Sequence, residues 1–253
     1  MQTPESWRPI LACALDIRAL TAGYGDLPVV HDFSAAIEAG TVTTLIGGNG
    51  AGKSTLMRAL FGTCRLFAGE IIFLGVPIER MHPWERLAHG IGLVPQGRCN
   101  FASMRVAENF KMACYSLQRA DHDRAIARTL QLFPALKPKM SVMAGNLSGG
   151  EQQMLEMAMV MVPSPKLLLL DEPSLGLSPK MQQDVFSMAR QVASIGVTVL
   201  MVEQNAHGAL LASDTAIVLE LGRNVLAGPA NAVIRDPRIR LAYLGERSTE
   251  RLS

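Results

Sequence analysis

Gly47-Gly48-Asn49-Gly50-Ala51-Gly52-Lys53-Ser54-Thr55 is the stretch that decides the fold, because it fits the phosphate-loop pattern G-x-x-x-x-G-K-[S/T]. The preceding segment 41–46 is β-branched and apolar, which predicts a buried strand. Apolar residues in 56–61 recur at helical spacing up to Gly62, a residue typical of a helix C-terminus. A strand, a glycine-rich turn and a helix in this order form a phosphate cradle, and these flanks argue against the alternative, a glycine-rich loop that matches the pattern by accident.

The side chains of this loop specify the ligand further. Lys53 can reach the β and γ phosphates of a nucleotide, and Ser54 can ligate Mg2+. We therefore predict that the chain binds a nucleoside triphosphate. The predicted binding residues in this loop are Gly47, Gly48, Asn49, Gly50, Ala51, Gly52, Lys53, Ser54 and Thr55.

The composition limits the class of protein. The chain has 253 residues, enough for one domain with a substantial core, and a formal net charge of +2 without a run of Lys or Arg. We therefore expect neither nucleic-acid binding nor a lipid-binding patch. No apolar run approaches the roughly 20 residues of a membrane-spanning helix, so work at a membrane would require another subunit. Four scattered cysteines favour reduced, mostly packed thiols in a cytosolic protein over a metal site: Cys13, Cys64, Cys99 and Cys114.

Short β segments flank the phosphate loop on both sides. Strands are predicted from Leu15 and over 29–37, joined by a turn at 21–26, and again over 69–75. Tyr24 is exposed by its glycine neighbours in that turn and could stack on a nucleotide base, although an isolated turn tyrosine is more often an ordinary surface residue.

The next segments predict a strand followed by a helical block. Segment 91–96 has the pattern of a buried strand that stops at a proline, which leaves Gln96 at the carboxyl end of the sheet, where open α/β sheets bind ligands. Helical patterns over 104–117 and 121–133 predict a helical lobe inserted into the sheet domain.

A second helix N-terminus could also receive an anion. The segment Leu147-Ser148-Gly149-Gly150-Glu151-Gln152-Gln153 opens a helix that is predicted to run to about Val162. Taken alone, this segment is better explained by a serine that caps only its own helix.

Two adjacent carboxylates follow four leucines in segment 166–172, a pattern typical of a buried parallel strand. Asp171 is suited to a Mg2+ shell, and Glu172 to polarising a water for attack on the γ phosphate. The alternative is an acidic strand end that faces solvent. Beyond it, the α/β alternation continues with a helix ending at Gly196, a strand over 197–202 and a hairpin around 222–223, then a helix over 230–234.

In chain order, Tyr24, the 47–55 loop, Gln96, and segments 147–153 and 167–172 resemble the ATP-binding cassette (ABC) ATPases over nearly the whole chain. The Leu147 to Gln153 segment is the most specific part. Within that family, four further segments resemble the second ATPase subunit of branched-chain amino-acid importers, with the urea importer ATPase as an alternative: 94–98, 172–177, 202–207 and 242–245.

The resemblance implies an α/β P-loop NTPase fold of ABC type, with a mostly parallel core sheet, an N-terminal antiparallel β part and an inserted helical lobe. It implies a single nucleotide-binding domain over 1–253. The expected core covers about 14–96 and 160–245, the helical lobe 97–160, and the tails 1–13 and 246–253, of which the last is expected to be mobile.

The resemblance also implies ATP and Mg2+ as ligands and a set of partners. Ser54, Gln96 and Asp171 would ligate the metal, and Glu172 would catalyse hydrolysis, with Gln204 at the switch position. Two cassettes, identical or different, would meet head to tail. Ser148, Gly149, Gly150 and Glu151 of one would then close on ATP held by the other. The motion would pass to transmembrane permease subunits at the cytoplasmic face of the plasma membrane, served by a solute-binding protein.

Three residues depart from the family pattern. Gly48 replaces the usual proline, which should loosen the unfolded loop at a cost of up to ~1 kcal/mol. Gln204 replaces the switch histidine; it can donate a hydrogen bond to the γ phosphate but cannot become charged. His207, three residues downstream, could compensate, but we expect it to pack or face solvent. Ser178 replaces the usual aspartate of the loop that communicates between sites. The Gly48 change is mild, whereas the changes at Gln204 and Ser178 put the symmetry of the two sites in doubt.

Two other function classes are alternatives. Soluble ABC ATPases of translation or DNA repair usually carry two cassettes or a coiled-coil insertion, and this chain has one cassette and no heptad insertion. A binding module without hydrolysis would need a damaged Lys53, Ser148 or Glu172, and all three are present. The transported solute is not encoded in this subunit.

Overall fold

The computed structural model describes residues 13–243, so the expectations for 1–12 and for the tail after Gly245 lie outside the described residues. The strands are β1 (Cys13–Tyr24), β2 (Leu27–Glu38), β3 (Val42–Ile46), β4 (Arg65–Phe73), β5 (Val76–Pro77), β6 (Ile91–Val94), β7 (Leu167–Asp171), β8 (Thr198–Glu203), β9 (Thr215–Glu220) and β10 (Arg223–Pro229). The α-helices are α1 (Lys53–Phe61), α2 (Pro83–Ala88), α3 (Val106–Ala113), α4 (His122–Leu132), α5 (Gly149–Met161), α6 (Pro179–Ser194), α7 (Ala206–Leu211), α8 (Ala230–Val233) and α9 (Pro237–Tyr243).

A six-stranded sheet forms the core, in the order β10-β9-β3-β8-β7-β6. The strands β9, β3, β8, β7 and β6 are parallel, and β10 returns antiparallel beside β9. The carboxyl ends of the parallel strands therefore meet at one edge, and the phosphate loop, Gln96 and the Asp171–Glu172 pair all follow these ends.

The leucines of β7 show how the core sheet is covered on both faces. Leu167 and Leu169 pack into a cluster with α1 and the antiparallel β part, while Leu168 and Leu170 pack with α5 and α6 on the other face. All four are 0% exposed. Since each fully buried leucine contributes about 1.5–3 kcal/mol, this strand is a major part of the core.

A four-stranded antiparallel sheet in the order β2-β1-β4-β5 covers α1. It contacts the core sheet through the β9–β10 turn, where His31 donates its amide to the Gly222 carbonyl at 2.8 Å. Gly222 has φ 77, and a Cβ there would overlap the Val29 carbonyl oxygen. Only glycine allows this close approach.

The helices α3, α4 and α5 form a separate lobe beside β6 and β7. Phe110, Phe133 and Leu155 pack into the cluster that covers the α5 face of the sheet. The predicted α/β fold is confirmed in these parts: a mostly parallel core sheet, an antiparallel N-terminal part and an inserted helical lobe.

The prediction of a turn over 21–26 was wrong, because Tyr24 lies within β1 and the turn is Gly25–Asp26. β1 continues because shifts in its pairing register absorb the irregular residues, and Gly23 lets the strand approach Leu27 closely. Cys13, assigned to the tail, is the first residue of β1 and is exposed. The hairpin turn is Leu221–Gly222, one residue earlier than predicted.

Three short helices were not predicted, namely α2, α7 and α9. They have six, six and seven residues, so their apolar periodicity is too short to read. Within residues 13–243, the helices are all too short or too polar to cross a membrane.

Candidate active site

The phosphate loop turns between β3 and α1 with glycines in the conformations that the turn requires. Gly50 has φ 78, and Gly52, the N-cap of α1, has φ 101. Other residues rarely adopt such values, so these two glycines permit the turn that brings the backbone of 47–52 around the start of α1. A Cβ on Gly47 would overlap the Leu219 carbonyl oxygen, whereas nothing lies within 4 Å of a Cβ on Gly48.

Lys53 is held across this loop. Its side chain is nearly buried, and its ammonium donates hydrogen bonds to the carbonyls of Gly47 at 2.9 Å and Gly48 at 3.1 Å. The Nζ atom also lies 3.7 Å from Oε1 of Glu172. The lysine charge is therefore placed between the loop and the carboxylate at the end of β7.

Ser54 and Asp171 form a second pair. The Ser54 hydroxyl donates to Asp171 Oδ1 at 3.0 Å, and Asp171 is 4% exposed at the end of β7. Burial raises the pKa of Asp171 above its usual range, with the Ser54 hydrogen bond opposing the shift. A buried carboxylate beside a hydroxyl is a donor set that Mg2+ favours, so these two residues fit the predicted metal.

The carboxylate of Glu172 contacts two side chains from other parts of the fold, Gln96 and Lys53. Its amide donates to the Val202 carbonyl at 2.9 Å, and its backbone has φ 51, an unusual value for a non-glycine residue. Gln96 donates its side-chain amide to Glu172 Oε2 at 2.9 Å, while Oε1 faces Lys53. The carboxylate is thus held between the Gln96 loop and the phosphate loop.

These groups border one cavity of about 420 Å³. The cavity is large enough for the phosphates of a nucleotide, and the Lys53 ammonium, side-chain amides and the Glu172 carboxylate border it together. Its lining consists of Val29, Asn49, Gly50, Gly52, Lys53, Ser54, Thr55, Gln96, Glu172, Leu175 and Gln204. Gly47, Gly48 and Ala51 belong to the same loop but do not line this cavity, and Asp171 lies behind Ser54.

Tyr24 lies beside α1 and is not part of that lining. It is 42% exposed, and its hydroxyl accepts a hydrogen bond from Arg58 at 3.0 Å and one from Thr55 at 3.5 Å. Arg58 was not singled out from the sequence, although its position one helical turn after Ser54 places it on α1. Base stacking by Tyr24 stays a prediction.

The serine-bearing start of α5 caps its own helix. Ser148 and Glu151 form a capping box, in which the Ser148 amide donates to Glu151 at 2.9 Å and the Glu151 amide to the Ser148 hydroxyl at 3.4 Å. The first of these bonds holds the pKa of Glu151 below its usual range. Ser148, Gly149, Gly150 and Glu151 are not part of the lining of the Lys53 cavity within one chain.

The residues that depart from the family pattern lie in different places. Gln204 is exposed and lines the Lys53 cavity. His207 is also exposed but lines a different groove, of about 610 Å³ beside α6 and α7, so it does not border the cavity that Gln204 lines. Ser178 is exposed at the N-cap of α6, without a side-chain capping bond.

Sequence reasoning missed two groups that support the site. Tyr243 in α9 donates to Glu220 at 3.2 Å, and burial raises the pKa of its hydroxyl, with the nearby Gly48 amide opposing the shift. Glu203, 1% exposed, accepts two hydrogen bonds from Ser174. Neither group has a local signal, because each depends on a contact between distant segments.

Comparison with known proteins agrees with this geometry. The sequence profile described as "ABC transporter" matches residues 30–175, more than half of the chain. The chain is 42% identical over 222 residues to the high-affinity branched-chain amino acid transport ATP-binding protein BraG of Pseudomonas aeruginosa, covering 88% of this chain and 95% of BraG. It is 37% identical over 227 residues to the probable branched-chain amino acid transport ATP-binding protein LivF of Archaeoglobus fulgidus, covering 89% and 96%.

A solved structure supports the fold independently. A nucleotide-free ATP-binding cassette from an ABC transporter superposes with a TM-score of 0.82 at 23% identity, covering 93% of this chain and 100% of that chain. Because the two sequences are only 23% identical, this similarity supports the fold and not the function. The sequence profile and the two relatives carry the assignment: the chain belongs to the family of ABC transporter ATPases.

Proposed function

We propose that this protein is the ATP-hydrolysing subunit of a membrane importer for branched-chain amino acids. The observation that carries the proposal is the convergence of Lys53, the Ser54–Asp171 pair and the Gln96–Glu172 pair at one cavity. The similarity to BraG and LivF over most of the chain supports the solute class.

The residues at the cavity have different roles in ATP hydrolysis. Lys53 and the amides of the phosphate loop bind and neutralise the phosphates. Ser54 and Asp171 would hold Mg2+, with Gln96 as a third ligand, and the bound ion would supply further charge neutralisation at the phosphates. Glu172 accepts the hydrogen bond of the attacking water and orients it, while Gln204 donates a hydrogen bond towards the γ phosphate.

The start of α5 is accessible to a second chain. Ser148 is exposed, and Gly149 and Gly150 are half-buried at the start of α5. We place this helix start against ATP held by a second cassette, identical or related, in a head-to-tail dimer. ATP would then hold the two chains together, and hydrolysis would release them.

The helical lobe offers a surface for a membrane partner. Phe101 and Met112 are 43% and 44% exposed, and Tyr115 is 73% exposed. Phe101 follows the Gln96 loop, and its amide is held by Asn109 of α3 at 2.8 Å. Movement of Gln96 would therefore reach this apolar surface directly. We place the transmembrane permease subunits here, which would hold the chain at the cytoplasmic face of the plasma membrane. A solute-binding protein would act with the permease on the other side.

Uptake in cells tests the proposal. The only copy of the protein is replaced by the Glu172→Gln variant, and uptake of labelled leucine and labelled urea is compared with that of cells carrying the unaltered protein. We expect loss of leucine uptake alone. Loss of urea uptake alone would transfer the protein to a urea importer, and unchanged uptake of both would refute the proposed solutes.

A further inference from the structure

One buried carboxyl joins the two loops that carry Glu172 and Gln204. Glu203 ends β8, and its Oε1 accepts the Ser174 amide at 2.9 Å. Its Oε2 accepts the Ser174 hydroxyl at 2.8 Å and the Gln204 amide at 3.2 Å. Ser174 lies two residues after Glu172, and Gln204 follows Glu203 directly. A single side chain therefore fixes both loops by hydrogen bonds.

A second set of hydrogen bonds, from α6, closes the same connection. Gln182 donates to the carbonyls of Leu177 at 3.2 Å and Ser174 at 3.4 Å. Its own carbonyl accepts the side-chain amide of Asn205 at 2.7 Å. The loop after β7 and the loop after β8 are thus joined twice, by Glu203 at the end of β8 and by Gln182 of α6.

A small cavity of about 280 Å³ lies between these loops. Glu172 and Gln204 both line it, and so do Glu203 and Gln182. Glu172 and Gln204 also line the Lys53 cavity. The hydrogen bonds made by Glu203 and Gln182 therefore lie directly behind the proposed reaction centre. Gln204 has no charge and can act on a phosphate only by a directed hydrogen bond, which requires an accurate position.

We propose that Glu203 is a positioning residue for ATP hydrolysis, whose ionised carboxylate holds the Glu172 loop and the Gln204 loop in the arrangement that the reaction needs. It acts through these loops and does not itself reach the nucleotide cavity. The inference rests on the ATP hydrolysis of the proposed function but is independent of the transported solute.

The charge of Glu203 makes this link sensitive to pH. Burial raises the pKa of Glu203 to about 7, although hydrogen bonds from Ser174, Gln204 and Asn205 favour the ionised form. An ionised carboxylate accepts all of these bonds, whereas a protonated one carries a hydrogen that needs an acceptor of its own. The link is therefore complete above pH 7 and is lost as the pH falls through it.

Other titratable groups surround β8, but burial and not their charge dominates this pKa. β3 carries none and places Ile46 in register with Glu203. The other elements that pack against β8 are β2, α1, β7 and α6, and α7 follows it. Their titratable and charged side chains are His31, Asp32 and Glu38 (β2); Lys53 and Arg58 (α1); Asp171 (β7) and the following Glu172; Lys180, Asp184 and Arg190 (α6); and His207 (α7).

Steady-state ATP hydrolysis by the purified full-length chain tests the proposal between pH 5.5 and 8.5. Glu203→Gln keeps the size of the side chain but removes its charge, and Ser174→Ala removes one hydrogen bond. Thr129→Ala is the matched control, because Thr129 is also 1% exposed and donates one hydrogen bond, to Ala125 at 2.9 Å in the helical lobe. Melting temperatures establish that each variant is folded.

We expect kcat of the unaltered chain to rise with a midpoint near pH 7. Glu203→Gln should lower kcat at pH 8 by at least about tenfold and abolish that midpoint, with KM changed less than about twofold. Ser174→Ala should lower kcat several-fold and keep the midpoint, and Thr129→Ala should change neither parameter.

Several results would overturn the inference. One is an unchanged kcat in Glu203→Gln, and another is a lowered kcat that keeps the midpoint, because the carboxylate charge would then play no part. If Glu203→Gln does not fold, an unaltered kcat in Ser174→Ala overturns the inference instead. Absence of hydrolysis in the unaltered chain, both alone and paired with a related cassette, would refute the proposed function and this inference together, whereas normal hydrolysis insensitive to Glu203→Gln would refute the inference alone.

Discussion

Arg86 ties the short helix α2 to the C-terminal end of the phosphate-binding helix α1. It is 1% exposed, and its guanidinium donates to the carbonyls of Ala59 at 2.7 Å and Leu60 at 2.8 Å. It also donates to the carbonyls of Glu79 at 3.2 Å and Met81 at 3.1 Å. A cation at this helix end also interacts favourably with the helix dipole. We predict that Arg86 is a principal stabilising residue of the nucleotide-binding part.

The substitution Arg86→Met removes the four donated hydrogen bonds and keeps an apolar side chain of similar length. Hydrogen bonds from a charged group contribute roughly 1.5–3 kcal/mol each. The cost of burying the guanidinium offsets part of this sum, and the same burial lowers the pKa of Arg86. We therefore expect a net loss of about 3 kcal/mol in the free energy of unfolding, equivalent to a fall of roughly 6–12 °C in Tm for a chain of this size.

Urea unfolding and thermal melting of the purified chain measure this loss. Arg190→Met is the matched control, because Arg190 makes an exposed ion pair with Asp214 at 2.7 Å. Such a pair contributes about 0–1 kcal/mol. A loss for Arg86→Met no greater than that of the control would refute the argument that the buried guanidinium stabilises the end of α1.

Three further predictions concern the phosphate loop, the pH dependence of stability and the start of α5. Gly47→Ala should abolish nucleotide binding or folding, because its Cβ would overlap the Leu219 carbonyl, whereas Gly48→Ala should fold normally; nucleotide titration and melting curves compare the two. The pKa of Glu203 is about 7 in the folded state, against an ordinary value of 4.5. Between these pH values the folded state therefore keeps a proton that the unfolded chain has released. The free energy of unfolding should consequently fall by roughly 3 kcal/mol as the pH rises from 4.5 to 7. The urea concentration at the unfolding midpoint should be lower at pH 8 than at pH 5 in the unaltered chain, and this difference should be absent in Glu203→Gln. Ser148→Ala should cost about 1 kcal/mol of stability through loss of its cap, and urea unfolding that shows no loss would contradict the capping geometry.

The parts of the fold with strong local signals were predictable from the sequence. The phosphate loop combines a buried strand, the glycines that its turn requires and a helix start within one continuous stretch, and the four leucines of β7 identify a strand covered on both faces. The cap at Ser148 is likewise local, since its partner Glu151 is three residues away. In each case the residues that form the structure are neighbours in the chain.

The remaining features depend on contacts between distant segments. Tyr24 was assigned to a turn because its glycine neighbours resemble one, but pairing with β2 and β4 extends the strand through it. Arg86 is charged and would be expected at the surface; its burial follows from the meeting of α2 with the end of α1. The link from Glu203 to Ser174 spans 29 residues and requires β7 and β8 to be adjacent. Local patterns do not contain such information.

We propose that the cavity bordered by Lys53 and Glu172 binds and hydrolyses ATP. Parallel measurement of ATP affinity and of turnover by the full-length chain, unaltered and with Glu172→Gln, tests it most directly. We predict that the variant binds ATP with an affinity within a few-fold of the unaltered chain but turns it over at least about 100-fold more slowly, since Glu172 orients the attacking water. Equal turnover by the two proteins would contradict this account of the site.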